Sequence, residues 1–215
     1  MMSTTAIIIN FQTPDLTETA VRSFKELYPE IPVILADNGS SDTESRKLIT
    51  ALSSELPQVS TYYFDKNIYH GPAMDHLITS EVKSDQVFLL DSDTETHTGG
   101  FLEKMSDLLE NDLVYGAGRV QLVNKRGFKS DAGFPILLTP YMLLKTKLYR
   151  KLPPFVHHGQ PTLFNFKEAS ASGYKLSDFP IQDYIDHKWR GTADRFGYGL
   201  NWKAKLDYIL NKVGL

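Results

Sequence analysis

The sequence predicts an α/β fold in which a mostly parallel, Rossmann-like sheet is flanked by helices. Two observations lead to this prediction. Short apolar runs alternate with longer segments whose apolar residues recur at helical spacing through the first half of the chain. The first run, residues 5–11, is continuous and rich in isoleucine, as expected for a strand buried on both faces. Strands and helices in such alternation form a parallel sheet covered by helices.

The elements of the first half follow in order from these patterns. Pro14 and Asp15 break the first apolar run, Asp15 can cap the helix that follows, and Asp42 can cap the second helix. Strands are predicted at residues 5–11, 31–36, 59–64 and 86–90. Helices are predicted at residues 16–27, 43–54, 72–80 and 101–109.

The second half of the chain is less regular. No linker, repeat or low-complexity stretch divides the sequence, so we expect one domain over residues 1–215. The helix that precedes Gly173 ends there, because glycine is the usual residue after a helix end. Strands are predicted at residues 113–123, 136–145 and 184–186, and helices at residues 162–172 and 202–213.

The composition excludes several classes of protein. The 215 residues are 41% hydrophobic and 23% charged, which is typical of a folded globular protein. The absence of cysteine excludes disulfides, zinc–thiolate sites and thiol catalysis. A net charge of −3, without a basic block, argues against nucleic acid as a partner.

The amino-terminal residues carry no recognisable targeting signal. Residues 1–5 are polar, and the apolar run at residues 6–9 is too short to span a bilayer. We therefore expect a cytoplasmic protein without a transmembrane segment. The helix at residues 202–213 mixes lysines with apolar residues, so packing on the core and peripheral membrane contact are both open for it.

Polar clusters follow the four predicted strands of the first half. Ligands of such sheets bind beyond the carboxyl ends of the strands, near the point where the strand order reverses. The sequence therefore predicts one ligand site at this edge of the sheet. The clusters are residues 12–13, 37–42, 65–71 and 91–93.

Asp91, Ser92 and Asp93 form the sharpest of these clusters. They directly follow the apolar run at residues 87–90, so both carboxylates can reach into one crevice. Such oxygen ligands suit Mg²⁺ or Mn²⁺, and these cations bridge phosphate oxygens. The alternative is a solvated acidic turn, but the position after a buried strand favours the metal site.

Asp37 ends the second predicted strand and begins the cluster at residues 37–42. Its carboxylate can accept the imide N–H of uracil. Asn38 and Gly39 permit a tight turn with positive φ. A turn followed by a helix cap accounts for Gly39 and Asp42 in full, and accounts for Asp37 less well.

Four stretches of the chain, taken together, resemble the family 2 glycosyltransferases with the GT-A fold. The resemblance implies metal-dependent transfer of a sugar from a nucleotide-sugar, with a UDP-sugar favoured, to the hydroxyl of a glycan, lipid-linked or small-molecule acceptor. It also implies a nucleotide-sugar-binding half at about residues 1–110 and an acceptor-binding half at about residues 111–215. The stretches are residues 6–11, 37–42, 67–73 and 91–93.

The same resemblance implies roles for individual residues of the donor site. Phe11 and Thr13 would hold the nucleoside and Asp37 the base. Asn67 and Gly71 would lie along the donor.

The resemblance assigns the metal to the Asp-x-Asp motif. Asp93 would bind the cation and Asp91 would lie near the ribose, with Ser92 between them. His187 follows a short predicted strand, where the family often has a residue beside the metal; an ordinary core or surface histidine is the alternative. Arg195 can balance diphosphate charge or lie in a solvated loop.

One feature departs from the family pattern. Inverting members carry a carboxylate general base about a dozen residues before a Gly-Tyr pair, but the matching positions here are Pro161 and Thr162. His158 is our first choice of base, because a histidine has a suitable unperturbed pKa. A shifted alignment, a retaining mechanism or an inactive protein would also explain the departure, so the stereochemistry is open. The other candidates are His157, Glu168 and Asp178.

Two alternative functions follow from the same residues. A sugar nucleotidyltransferase uses a similar sheet but carries a glycine- and arginine-rich loop after its first strand, and residues 10–15 contain no glycine. A non-catalytic sugar-nucleotide or glycan-binding module would need no general base.

Overall fold

The structure, a computed structural model, describes residues 2–156 and 160–188. Its strands are β1 (Thr4–Asn10), β2 (Val33–Asp37), β3 (Val59–Tyr63), β4 (Gln86–Asp91), β5 (Thr94–Thr96), β6 (Val114–Val123), β7 (Phe134–Lys145), β8 (Lys175–Asp178) and β9 (Ile185–His187). Its α-helices are α1 (Pro14–Leu27), α2 (Thr43–Glu55), α3 (His70–His76), α4 (Phe101–Leu108), α5 (Thr146–Tyr149) and α6 (Leu163–Ala171). A π-helical turn, Leu77–Glu81, continues α3, and a 3₁₀ turn, Ile181–Asp183, precedes β9.

Seven of these strands form one sheet in the order β3-β2-β1-β4-β7-β6-β8. β1 pairs in parallel with β2 on one side and β4 on the other, and β7 pairs antiparallel with both β4 and β6. The order in which the strands are added to the sheet therefore reverses between β1 and β4, since β2 and β3 lie on one side of β1 and β4 lies on the other. This is the α/β, mostly parallel sheet flanked by helices that the sequence predicts, and the switch point marks the expected ligand edge.

The continuous apolar character of β1 reflects helices on both faces of the sheet. Ala6 and Ile8 are buried in the layer that includes α1 and α4. Ile7 and Ile9 are buried in the opposite layer, against α3 and the π-helical turn. Because successive residues of a strand point to opposite faces, the centre of a strand between two helical layers is apolar at consecutive positions, as residues 6–9 are.

Tyr28 ties the end of α1 to the start of α4. Its buried hydroxyl accepts hydrogen bonds from the backbone N–H groups of Phe101, at 2.8 Å, and Leu102, at 3.2 Å. These two donors belong to the first turn of α4, where no intrahelical partner exists. The Tyr28 hydroxyl therefore caps α4 from a distance in the sequence.

We expect Tyr28→Phe to lower the free energy of unfolding by about 1–3 kcal/mol, because it leaves two backbone donors without their partner. Urea unfolding measures this change. Tyr63→Phe is the matched control, since the Tyr63 hydroxyl contacts only the exposed Thr50 Oγ1 among the hydrogen bonds of the described residues. A loss no larger in Tyr28→Phe than in the control would contradict the capping role.

The structure differs from the sequence prediction at several short elements. β5 and β9 form a separate antiparallel ribbon, and β8 adds an edge strand; the sequence indicated neither β5 nor β8. The helix expected at residues 72–80 begins at His70 and becomes π-helical after His76. The strand expected at residues 184–186 lies one residue later. These elements are three to seven residues long and depend on distant pairing, which a local pattern does not encode.

None of the helices in residues 2–156 and 160–188 combines the length and apolar character needed to cross a bilayer. The helix predicted at residues 202–213 lies outside the described residues.

Candidate functional site

Asp91, Asp93 and His187 converge at the carboxyl end of β4. The three side chains each offer a ligand atom, and these atoms lie within 4.8 Å of one another. His187 Nε2 is 3.0 Å from Asp93 Oδ1 and 3.9 Å from Asp91 Oδ2. The side chains of Asp93 and His187 are only 9% and 7% exposed, whereas that of Asp91 is 23% exposed.

The ribbon of β5 and β9 brings His187 to the Asp-x-Asp motif. Thr94 pairs with His187 in the ribbon, and the Lys188 N–H donates to the Asp93 carbonyl at 2.9 Å. The ring of Tyr141, from β7, packs edge-on against the His187 imidazole with the centroids 6.3 Å apart. Two residues 94 positions apart thus become neighbours.

The donor set fits a divalent cation. The two carboxylates suit Mn²⁺ or Mg²⁺, and the imidazole adds a nitrogen ligand of the kind that transition-metal cations accept. The separations of 3.0 Å and 3.9 Å from His187 Nε2 leave the three side chains close enough to hold one cation together.

His70 approaches the same cluster from α3. Its Nε2 lies 3.3 Å from Asp91 Oδ1. Burial alone would lower the pKa of His70, but the contact with Asp91 and the negative charges of Asp91 and Asp93 outweigh it, so the pKa is raised above its ordinary value.

The loop after β2 holds Asp37 in a buried hydrogen-bond network. Asp37 Oδ1 accepts from Asn10 Nδ2, at 2.8 Å, and from the Ser40 hydroxyl, at 2.6 Å. Asp37 Oδ2 accepts from the Ser40 N–H at 3.1 Å. Because a carboxylate has about four acceptor positions, the hydrogen bonds from the described residues leave one position on Oδ2 unused. Asp42 caps α2 by accepting from the Ser45 N–H at 2.6 Å, as the sequence predicts.

Asn10 connects this loop to the start of α1. Asn10 Oδ1 accepts from the Thr17 hydroxyl, at 2.8 Å, and from the Thr13 N–H, at 3.3 Å. Thr13 is fully buried, and its hydroxyl makes no hydrogen bond to the part of the chain that the structure describes. Phe11 is half-buried directly after β1. The two residues expected to hold a nucleoside thus lie beside Asp37, at the predicted edge.

Asn38 joins the loop after β2 to the loop after β3. Asn38 Oδ1 accepts from the Ile68 N–H at 3.1 Å, and Asn38 Nδ2 donates to Asn67 Oδ1 at 3.3 Å. Asn67 Oδ1 also accepts from the Tyr69 N–H at 2.8 Å. Gly71 is buried in the first turn of α3. Of the two residues expected along a donor, Asn67 is therefore bonded to the loop after β2, and Gly71 lies four residues further on in α3.

Two residues of this edge have backbone conformations that L-amino acids rarely adopt. Gln12, after β1, has φ of 55°, and Tyr69, before α3, has φ of 70°. Such conformations cost about 1–3 kcal/mol and cluster at functional sites. Their position agrees with the site located by the polar clusters.

The structure describes two of the four general-base candidates, Glu168 and Asp178. His157, His158 and Arg195 lie outside the described residues. Glu168 is exposed on α6. Asp178 ends β8 at the same edge of the sheet as Asp91, and its Oδ1 accepts from the Val120 N–H at 2.8 Å.

Three residues of the site were not among the sequence candidates. Asn10 and Asn38 are buried and organise the loops, and His70 contacts Asp91. Asn10 at the end of an isoleucine-rich strand was a usable signal, because an amide there interrupts an otherwise apolar run. For His70 the sequence offered its place in the stretch at residues 67–73 but no indication of its partner.

Comparison with known families agrees with this geometry. Residues 5–172 match the family model described as glycosyl transferase family 2. The match covers well over half of the chain, so the protein belongs to the family 2 glycosyltransferases. No curated protein matches the chain in sequence.

Solved structures share the fold at low sequence identity. The mannosyltransferase PcManGT from Pyrobaculum calidifontis, in complex with GDP-Man and Mn²⁺, is 15% identical with a TM-score of 0.69, over 83% of this chain and 55% of that chain. TarS 1–349 from S. aureus, in complex with UDP-GlcNAc, is 14% identical with a TM-score of 0.64, over 86% of this chain and 58% of that chain. These likenesses identify the GT-A fold, and this chain spans a little over half the length of either structure.

Proposed function

We propose that this protein transfers a sugar from a nucleotide-sugar, with a UDP-sugar as the favoured donor, to an acceptor hydroxyl. The observation that carries the proposal is the cluster of Asp91, Asp93 and His187 at the switch point of a family 2 glycosyltransferase fold. A cluster there lies where the diphosphate of a donor would sit, beyond the carboxyl ends of the strands.

Complexes of similar structures support the donor class. PcManGT binds GDP-Man and Mn²⁺, and TarS binds UDP and UDP-GlcNAc. Both bind a nucleotide-sugar, but the base differs between them. We favour UDP because the buried Asp37 has an acceptor position left for the imide N–H of uracil.

Asp91, Asp93 and His187 would hold Mn²⁺ or Mg²⁺ in this account. The bound cation would neutralise charge on the diphosphate as the bond to the sugar breaks. Because Asp93 and His187 are almost fully shielded from solvent, their electrostatic interactions are stronger than those of exposed groups. Asp37, Asn67, Phe11 and Thr13 would fix the nucleoside against this charged centre, so that the reacting carbon is presented in one orientation.

The acceptor side completes the proposal. Residues 111–215 would form the acceptor-binding half and residues 1–110 the nucleotide-sugar-binding half of one domain.

We keep His158 as the proposed base, Arg195 as a proposed diphosphate contact and the cytoplasm as the proposed location. The cysteine-free sequence fits that reducing compartment.

Asp37→Ala is expected to weaken binding of UDP and of UDP-sugars equally, by about tenfold or more, because each lost charged hydrogen bond is worth about 1.5–3 kcal/mol. Isothermal titration calorimetry in Mn²⁺ measures this. Asp42→Ala is the matched control, since Asp42 belongs to the same loop but caps α2. It should lower stability by about 1 kcal/mol and leave UDP affinity unchanged. Equal UDP affinity in Asp37→Ala and the wild type would count against a base-contacting role.

Turnover of the donor tests the proposed function itself. Release of UDP from a panel of UDP-sugars, with and without simple sugar acceptors, should require Mn²⁺ or Mg²⁺ and stop with EDTA. Tight binding of a UDP-sugar without release of UDP under any condition would instead support a non-catalytic binding module.

A further inference from the structure

We propose that His70 is a positioning residue that fixes the Asp91 carboxylate in the metal cluster, an inference that rests on the proposed function. His70 is the first residue of α3, and its Nε2 lies 3.3 Å from Asp91 Oδ1. The other oxygen, Oδ2, lies 3.9 Å from His187 Nε2. The two oxygens of Asp91 therefore have different neighbours: Oδ1 has His70, and Oδ2 has a member of the cluster.

The buried ring nitrogen of His70 has the Asp91 carboxylate as its polar neighbour. His70 Nε2 is shielded from solvent and makes no well-aligned hydrogen bond within the described residues. A buried ring nitrogen requires a polar neighbour, and the Asp91 carboxylate is one. With its Nε2 3.3 Å from Oδ1, His70 would limit the rotation of the Asp91 carboxylate without being one of the three candidate ligands.

Hydrogen bonds in the loop before α3 fix the position of His70. The Ile68 N–H donates to Asn38 Oδ1 and the Tyr69 N–H to Asn67 Oδ1. Tyr69 is held at φ of 70°, a conformation that persists only where its surroundings determine it. The same bonds that shape the proposed nucleotide edge therefore set the position of the His70 ring.

The consequence concerns the affinity for the cation. The terminal torsion of an aspartate is broad and roughly two-fold, so Asp91 without His70 would have to be ordered when the metal binds. Groups that orient a metal ligand from outside typically contribute 10–100-fold to metal affinity. His70 would thus strengthen metal binding through Asp91.

Mn²⁺ titrations of the full chain in the presence of UDP, followed by the electron paramagnetic resonance signal of free Mn²⁺, test this role. We expect His70→Ala to raise the Mn²⁺ dissociation constant by about tenfold or more. His70→Gln, whose amide nitrogen can reach the Nε2 position, should restore most of the affinity. The melting temperatures of the metal-free variants should match that of the wild type.

His97→Gln is the matched control, because His97 also lies near a carboxylate, 3.8 Å from Asp186 Oδ1, but does not contact Asp91. It should bind Mn²⁺ like the wild type. If His70→Ala does not fold, His70→Asn replaces it, since that side chain is too short to reach Oδ1.

The outcomes separate this inference from the proposed function. If the folded His70→Ala or His70→Asn protein binds Mn²⁺ with the wild-type affinity, the role of His70 is overturned and the proposed function is unaffected. Equal losses of Mn²⁺ affinity in His70→Ala and His70→Gln would also overturn the positioning role. That result would instead indicate that His70 is a direct metal ligand, because an amide does not replace an imidazole ligand. A wild-type chain that binds no Mn²⁺ would remove the proposed function and this inference together.

Discussion

Asp93→Ala should abolish Mn²⁺-dependent binding of UDP while leaving the fold intact. The Asp93 side chain is 9% exposed and its Oδ1 lies 3.0 Å from His187 Nε2, so its removal deletes one candidate ligand and leaves the histidine without that neighbour. We expect the affinity for UDP in Mn²⁺ to fall by at least about 100-fold, since even outer groups of a metal site are worth 10–100-fold. Calorimetric titration with UDP, with and without Mn²⁺, measures the effect.

Asp186→Ala is the control for Asp93→Ala. The Asp186 side chain is 79% exposed on β9, one residue before His187, and is not part of the cluster. Its variant should retain wild-type binding. Undiminished Mn²⁺-dependent UDP binding in a folded Asp93→Ala protein would remove the central claim about the cluster.

Gly39→Ala should produce the largest loss of stability. Gly39 has φ of +69°, and a Cβ added there would lie 2.2 Å from the Lys66 carbonyl carbon and 2.4 Å from the Asn67 nitrogen. Both neighbours are backbone atoms, so the loops after β2 and β3 would have to separate. We expect the free energy of unfolding to fall by about 2–4 kcal/mol, the range of substitutions that combine steric overlap with backbone strain.

The strain and the steric overlap at Gly39 can be separated experimentally. Gly173 has φ of +82°, but a Cβ there would meet nothing within 4 Å. Gly173→Ala should therefore show only the conformational cost, about 1 kcal/mol, in the same urea unfolding measurement. UDP binding should weaken in Gly39→Ala alone, because the displaced loops carry Asp37 and Asn67. Equal destabilisation by the two substitutions would contradict the close approach of the loops.

The sequence predicted the parts of the fold that depend on local pattern. The run at residues 5–11 identified a strand buried on both faces because its central residues, 6–9, are apolar and pack alternately into two helical layers. Asp91 and Asp93 were recognisable because charge directly after such a strand has few structural uses. Asp42 was predicted as a helix cap from its place before an amphipathic segment, and it caps α2.

The rest of the site depends on contacts between distant parts of the chain. His187 could be placed beside the Asp-x-Asp motif only through the resemblance, because pairing between β5 and β9 joins residues more than 90 positions apart. His70 has no periodic or spacing signal that points to Asp91. The networks of Asn10 and Asn38 likewise appear only when β1, β2 and the loop after β3 are adjacent. The predicted roles of His158 and Arg195 remain predictions, since these residues lie outside the described part of the chain.

A thermal-shift comparison of UDP, GDP, dTDP and CDP, each with and without Mn²⁺, tests the central claim most directly. A ligand that binds only the folded state stabilises it by about 2.7 kcal/mol at 100 times its dissociation constant, which corresponds to about 5–10 °C for a chain of this size. We predict that UDP with Mn²⁺ raises the melting temperature and that UDP without metal does so far less. The absence of any shift with every nucleotide, in Mn²⁺ and in Mg²⁺, would contradict a metal-dependent nucleotide-sugar site.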